Sequence, residues 1–149
     1  INSFLIQNND NEIFSKKNFK VVSKIKPSEK LIDQLIFSFN VCRSVKSNAI
    51  VITQGNKTLG IGSGQPSRFD SCKIAIEKMK RFKQFDGKNP IIAASDAFFP
   101  FVDGIESLVQ AGVKAIVQPY GSIRDKEIIK FANDMEVILM FSKSRHFSH

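Results

Sequence analysis

The stretch Pro90-Ile91-Ile92-Ala93-Ala94-Ser95-Asp96-Ala97-Phe98-Phe99-Pro100-Phe101-Val102-Asp103-Gly104 passes from an apolar segment, through phenylalanines grouped around a proline, into a helical pattern. The residues after it repeat the alternation. Pro90 to Ser95, Lys114 to Gln118 and Glu136 to Phe141 read as strands, while Asp103 to Ala111, stopped by Gly112, and Arg124 to Asn133 read as the helices between them. Such a β-α-β-α-β series predicts a largely parallel sheet with helices on its faces, because strands that run the same way need a crossover between them. Loops leaving the carboxyl ends of those strands share one rim, where open α/β sheets bind ligands. Asp96 to Asp103 lies on that rim, beside Pro119-Tyr120-Gly121-Ser122 and the tail after Phe141. Three large rings need a reason in a connection whose polar backbone wants water. They form either a wall for a planar ligand or a loop folded back under its neighbours, with Asp96 and Asp103 as local caps.

The first half of the chain supplies the rest of the sheet. Ser3 to Gln7 alternates weakly as a strand, Asn8 to Asn11 is a turn cluster, and Phe19 to Ser23 is a second strand. Ser28 is placed as an N-cap, and Leu31, Ile32, Leu35, Ile36, Phe39 and Cys42 recur at helical spacing, so a helix runs from there to near Val45. Ala49 to Thr53 and Thr58 to Ile61 flank Gln54-Gly55-Asn56-Lys57, an antiparallel hairpin signal. Beyond Ser67, the residues Phe69, Cys72, Ile76, Met79 and Phe82 predict an amphipathic helix closed by Phe85-Asp86-Gly87.

With 149 residues, 42% of them hydrophobic, the chain fits one domain with a real core. Its 22 Lys+Arg against 14 Asp+Glu leave a formal charge of +8, which favours anionic partners without choosing among them. The densest basic cluster, Lys78, Lys80, Arg81 and Lys83, falls on the outer face of a helix and reads as solvated rather than as a nucleic-acid groove. Cys42 and Cys72 sit on apolar helical faces and read as buried thiols of a reducing compartment. CxxC and HxxxH spacings are absent, which argues against zinc. No signal peptide is evident, and no apolar run approaches the roughly 18 residues of a membrane span, so a soluble, cytoplasmic protein is expected. A first residue of Ile rather than Met points to a piece of a longer or processed chain.

Several constellations could carry chemistry. Gly60, Gly62 and Gly64 lead into the helix at Ser67; the spacing is neither G-x-G-x-x-G nor a P-loop, so the run is either a tight strand-to-helix turn or an anion cradle. Arg68 stands in the first helical turn, where a cation opposes the helix dipole by about 0.3–1 kcal/mol. It either tolerates that cost at the surface or meets an anionic group. Ser122 is either a contact or the N-cap of the next helix. Asn48 can terminate a helix. The tail Ser144-Arg145-His146-Phe147-Ser148-His149 combines a guanidinium with a ring and is either a purposeful segment or a frayed chain end; it holds both histidines of the protein, so no core histidine is expected as a general base. No Ser-His-Asp set or GxSxG elbow is present.

Taken together, Val45-Lys46-Ser47-Asn48-Ala49-Ile50-Val51, Gly60 to Arg68, Ser95 to Gly104 and Arg145-His146-Phe147-Ser148-His149 resemble the bifunctional purine biosynthesis protein family. That family joins an IMP cyclohydrolase to an AICAR transformylase, and the motifs stand here in its order, spacing and C-terminal position. The resemblance covers essentially the whole chain. It implies that residues 1–149 are the second, C-terminal cytidine-deaminase-like subdomain of the transformylase, a three-layer α/β/α sandwich with a mixed, mostly parallel sheet and no zinc. The deaminase signature of H-x-E and P-C-x-x-C is indeed missing. It further implies formyl transfer from 10-formyltetrahydrofolate to the amine of AICAR, giving FAICAR in de novo purine biosynthesis, by a cytoplasmic homodimer completed by the rest of the chain.

Roles follow from the resemblance residue by residue. Asn48 and Asp103 match catalytic positions, Asn48 beside the reacting groups and Asp103 ordering them or bonding the pterin. Arg68, Phe98, Arg145 and Phe147 match the nucleotide site, and Pro100, Phe101 and Ser122 the folate side. Val41, Val45, Ser47 and Asp96 match a potassium site, with side-chain oxygens only at Ser47 and Asp96. Val102 stands where many relatives carry arginine, and Tyr120 replaces a small residue. The lysine-histidine pair of the family's chemistry lies upstream of these residues, so the fragment alone is expected to be inactive. A stand-alone nucleotide- or folate-binding regulatory module, or an unrelated nucleotide-binding α/β domain, is the competing expectation.

Overall fold

Period-two and period-3.6 hydrophobic patterns alternate along the chain, and in the computed structural model, which describes residues 6–7, 15–81, 85–146 and 148, they become six strands and four α-helices. In order these are β1 (Phe19–Val21), α1 (Glu29–Arg43), β2 (Ile50–Gln54), β3 (Lys57–Gly62), α2 (Arg68–Arg81), β4 (Ile91–Ser95), α3 (Val102–Gln110), β5 (Val113–Pro119), α4 (Asp125–Asp134) and β6 (Ile138–Ser142). The strands form one sheet in the order β1-β6-β5-β4-β2-β3. Alternate residues serve opposite faces. Val51, Ile92, Ala94, Ala115, Val117 and Met140 meet Leu35, Phe39 and Cys42 of α1, whereas Ile50, Ile52, Ala93, Ile116 and Leu139 meet α2, α3 and α4. The result is a three-layer α/β/α sandwich with a mixed sheet.

The sheet is mixed: β3, β4, β5 and β6 all run one way, as the crossover helices require, while β1 and β2 run against them, so β1 on β6, β2 on β4 and β3 on β2 pair antiparallel. The β2–β3 hairpin is the reason. β2 lies between β3 and β4 and runs against both, so the crossover through α2 links parallel strands that are not neighbours. The strand expected over Ser3 to Gln7 falls outside the described residues except for Ile6 and Gln7, as do the turn at Asn8 to Asn11 and the cation Lys83.

Local chemistry explains the element ends. The Ser28 hydroxyl accepts the Leu31 N–H at 3.3 Å, the N-cap its position predicted. Ser122 is not the cap of α4. Its hydroxyl accepts the Arg124 N–H at 3.1 Å one turn early, while Asp125 accepts the N–H groups of Gly121 and Ser122 at 2.8 and 3.2 Å and starts the helix. Gly60 and Gly62 are strand residues rather than parts of an anion cradle. A Cβ there would lie 2.0 Å from Ala75 O and 1.9 Å from Ser71 O, so these glycines let α2 rest directly on the sheet, and Gly64 alone makes the turn at φ 67°. The basic outer face of α2 is solvated: Lys78 donates to Ile61 O at 2.8 Å and Arg81 pairs with Glu77. Among the described residues no helix is long and apolar enough to cross a membrane.

Candidate functional site

Parallel strands β4 and β5 end side by side, so the connections after them and the segment after β6 converge on one rim. The cis-linked Ser47–Asn48 pair precedes β2, which runs against β4 and brings Asn48 to the same rim. Arg68, in the first turn of α2, faces it from above the sheet.

Arg68 organises this corner. Its side chain is only 10% exposed, and its Nη2 donates both to Asn48 Oδ1 at 2.8 Å and to Asp96 Oδ1 at 2.9 Å. Nη1 donates to the Phe98 carbonyl at 3.3 Å. Arg68 is therefore not the surface cation that merely tolerates a helix dipole; a buried carboxylate meets its charge inside the protein. Its Nε is buried and has no acceptor among the described residues. Asn48 is equally fixed: Nδ2 donates to the carbonyls of Gln65 at 2.9 Å and Pro66 at 3.2 Å, and its own carbonyl accepts from Ser71 Oγ at 2.8 Å. An amide so pinned keeps Oδ1 and Nδ2 from exchanging places.

The aromatic loop divides between the two readings open to it. Phe99 is 1% exposed and packs in the core, its ring filling the space over Gly104, where a Cβ would meet it at 2.8 Å. Phe101 is 53% exposed, with the Arg124 guanidinium 4.9 Å from its ring centre. Phe98 is half-buried beneath the exposed Arg145 guanidinium, 4.6 Å from its ring centre. Asp103 is exposed, with Oδ1 accepting the Gly104 N–H at 2.7 Å, and so serves as a local cap. Asp96 does not; it belongs to the Arg68 corner.

A hollow of about 410 Å³ lies between these groups, lined by Asn48, Arg68, Phe101, Asp103, Pro100 and Phe69 among others. Five of the residues expected at the site, Asn48, Arg68, Pro100, Phe101 and Asp103, thus share one concavity. Phe98 and Arg145 stand next to it as a stacked pair, with Gly121 against Arg145 on the Ser122 side. Phe147 lies outside the described residues. Of the four residues expected around potassium, Ser47 and Asp96 meet, Ser47 Oγ donating to Asp96 Oδ2 at 2.5 Å, while Val41 and Val45 lie at and just past the end of α1. Among the described residues no group of three or more His, Cys, Asp and Glu is placed to hold a metal ion.

Three features escaped sequence reasoning. The carbonyls of Gln65 and Pro66 hold Asn48, and backbone acceptors leave no mark on residue type. Arg124 stacks on Phe101 from the neighbouring connection, which nothing in local sequence signals. Ser148 exchanges hydrogen bonds with Ser47, its carbonyl accepting the Ser47 N–H at 2.9 Å and its N–H donating to Ser47 Oγ at 3.2 Å.

The two thiols lie on opposite faces of the sheet, Cys72 under α2 and Cys42 under α1. Both are free and fully buried, and burial pushes the Cys72 thiol up to about 12 and the Cys42 thiol well above its ordinary range.

Residues 1–78 match the family described as AICARFT/IMPCHase bienzyme. The bifunctional purine biosynthesis protein PurH of Buchnera aphidicola subsp. Schizaphis graminum is 45% identical over 148 residues, 99% of this chain and 28% of that protein. Proteins of the same name from Leptospira biflexa serovar Patoc and Oenococcus oeni are 45% and 44% identical, each over 97% of this chain and 28% of its own length. The chain therefore spans a little over a quarter of the length of these curated relatives. Among solved structures, the apo dCMP deaminase of cyanophage S-TIM5 superimposes with a TM-score of 0.47 at 14% identity, covering 76% of this chain and 98% of that one.

Proposed function

This chain belongs to the AICARFT/IMPCHase bienzyme family, and on that premise we propose that it is the second, C-terminal subdomain of an AICAR transformylase acting in de novo purine biosynthesis. The observation that carries the reading is the shared hollow, lined by Asn48 and Arg68 together with Pro100, Phe101 and Asp103. On this reading the first two face AICAR and the last three 10-formyltetrahydrofolate.

Asn48, locked by the Gln65 and Pro66 carbonyls, presents Oδ1 in one orientation, where it accepts from the AICAR amine as that nitrogen attacks the formyl carbon. Arg68 shares that oxygen and places a cation beside the charge that develops on the formyl oxygen. Arg145 and Phe98, stacked on each other, border the nucleotide together, and the resemblance assigns Phe147 to the same site. Phe101 and Pro100 supply apolar surface to the pterin, Asp103 accepts from its N–H groups, and Ser122 borders the folate from the next connection. Proton transfer falls to the family's lysine-histidine pair elsewhere in a complete protein: contrary to the expectation of no core histidine, His146 is buried and bonds Asp96 through its main-chain N–H, but its ring packs on Phe39 and does not line the hollow.

The working enzyme on this reading is a cytoplasmic homodimer of the longer chain, with IMP cyclohydrolase as its second activity. Potassium is part of the proposal: a hard cation requires oxygen donors, which the Ser47 hydroxyl and the carbonyls of Val41 and Val45 would supply, with the Asp96 carboxylate, already paired with Arg68 and Ser47, beside them.

The test is a pair of assays on this polypeptide. Formylation of AICAR should be undetectable, while AICAR and a folate analogue should each raise its melting temperature, and Arg68→Ala and Arg145→Ala should abolish the AICAR shift. Full formylation by the isolated chain would overturn the division of labour. Absence of any selective shift would favour an unrelated α/β domain.

A further inference from the structure

We infer that Asp96 is a positioning residue of the nucleotide site, aligning Arg68 and the C-terminal segment together without touching ligand itself; the inference rests on the nucleotide reading above. Asp96 follows β4 and is 1% exposed. A carboxylate so buried must be fully paired or be costly, and here every oxygen of the residue has a task. Oδ1 accepts from Arg68 Nη2 at 2.9 Å and Oδ2 from Ser47 Oγ at 2.5 Å, while the main-chain carbonyl accepts the His146 N–H at 3.1 Å.

Those bonds close a ring. Arg68 runs from Asp96 to the Phe98 carbonyl, Phe98 lies under Arg145, and Arg145 is next in the chain to His146, whose N–H returns to Asp96. Ser47 ties the same carboxylate to Ser148. The two cations assigned to AICAR are thus indexed to each other through one side chain that lies behind both. Arg68 spends its Nη2 on Asp96 and Asn48, so the carboxylate also sets how the guanidinium is turned in the wall of the hollow.

Asp96→Asn keeps the shape, removes the charge, and puts an amide donor opposite a serine that already accepts from Ser148. The experiment compares the parent chain, Asp96→Asn, Arg68→Gln and the double variant by AICAR titration calorimetry and by thermal melting, with the exposed ion-pair residue Asp134→Asn as control. Asp96→Asn should weaken AICAR about tenfold, and the control should not. In melting, Asp96→Asn should lower the parent but raise Arg68→Gln, because in that background it removes a buried charge that has lost its partner. Should Asp96→Asn fail to fold, the charge-free double variant against Arg68→Gln still reads the sign.

AICAR affinity of Asp96→Asn within twofold of the parent, or a melting effect of the same sign in both backgrounds, would overturn the role. A parent that binds no AICAR would overturn the nucleotide reading and this role with it. Loss in Asp96→Asn but not in Asp134→Asn, in a parent that binds and with melting effects of opposite sign in the two backgrounds, is the supporting result.

Discussion

Arg68 and Arg145 are both guanidiniums at the same rim, yet they are held in opposite ways. Arg68 is buried, its charge matched by Asp96 and its direction set by Asn48 and the Phe98 carbonyl. Arg145 is exposed and rests on the face of Phe98, an attraction that leaves the group free to slide. The first belongs to the architecture of the protein and the second to its surface. Stability should therefore depend on the first, and ligand response on both.

The largest effect follows from breaking the buried pair. Arg68→Ala strands a carboxylate that is 1% exposed, and the expected loss is about 3–5 kcal/mol in urea unfolding. A loss below about 1 kcal/mol, the range of exposed pairs, would erase the contrast with Arg145. Alkaline unfolding tests the same burial from below. The folded state keeps the Cys72 thiol neutral up to about 12, whereas the unfolded chain releases the proton near 9.0. The unfolded state then binds fewer protons, so stability is full below pH 9 and should fall above it by about 1.4 kcal/mol per pH unit for this thiol, with Cys42, raised in the same direction, adding a like slope. Curves superimposable at pH 8 and pH 11 would mean the thiol is not shielded.

Gly121→Ala probes the exposed partner. At φ 112°, an alanine is strained, and its Cβ would lie 2.9 Å from Arg145 Nη2. We expect about 1–3 kcal/mol of destabilisation together with a displaced Arg145, seen as a weaker thermal shift on AICAR. Arg145→Ala should be the mildest, within about 0.5 kcal/mol of the parent in stability while removing the AICAR response. A parent-like response from that variant would assign the nucleotide to Arg68 alone.

How far the sequence spoke for itself depended on range. Ser28, the helical faces of α1 and α2, and the alternation from β4 to β6 were legible because each signal lies within a few residues. Strand direction across the sheet was not, since pairings such as Phe19 with Ser142 depend on which distant edges meet. Arg68 attracted attention as a first-turn cation, but Asp96, the residue that answers it, is 28 positions away and looked like a loop cap. Phe98, Phe99 and Phe101 show the same limit: one residue type, no periodicity, and a half-buried, a core and an exposed outcome. The resemblance named the members of the hollow, whereas their hydrogen bonds to one another became visible only in three dimensions.

The pairing of β1 with β6 has a consequence for how the protein is made. The Ser23 hydroxyl accepts the Leu139 N–H across a separation of 116 residues, and Val22 N–H reaches the same Leu139. At a synthesis rate of about 5–20 residues per second, the first strand must wait on the order of 5–25 s for its partner to be made. During that interval the nascent chain carries an unpaired strand edge, which β6 covers only once it has been made.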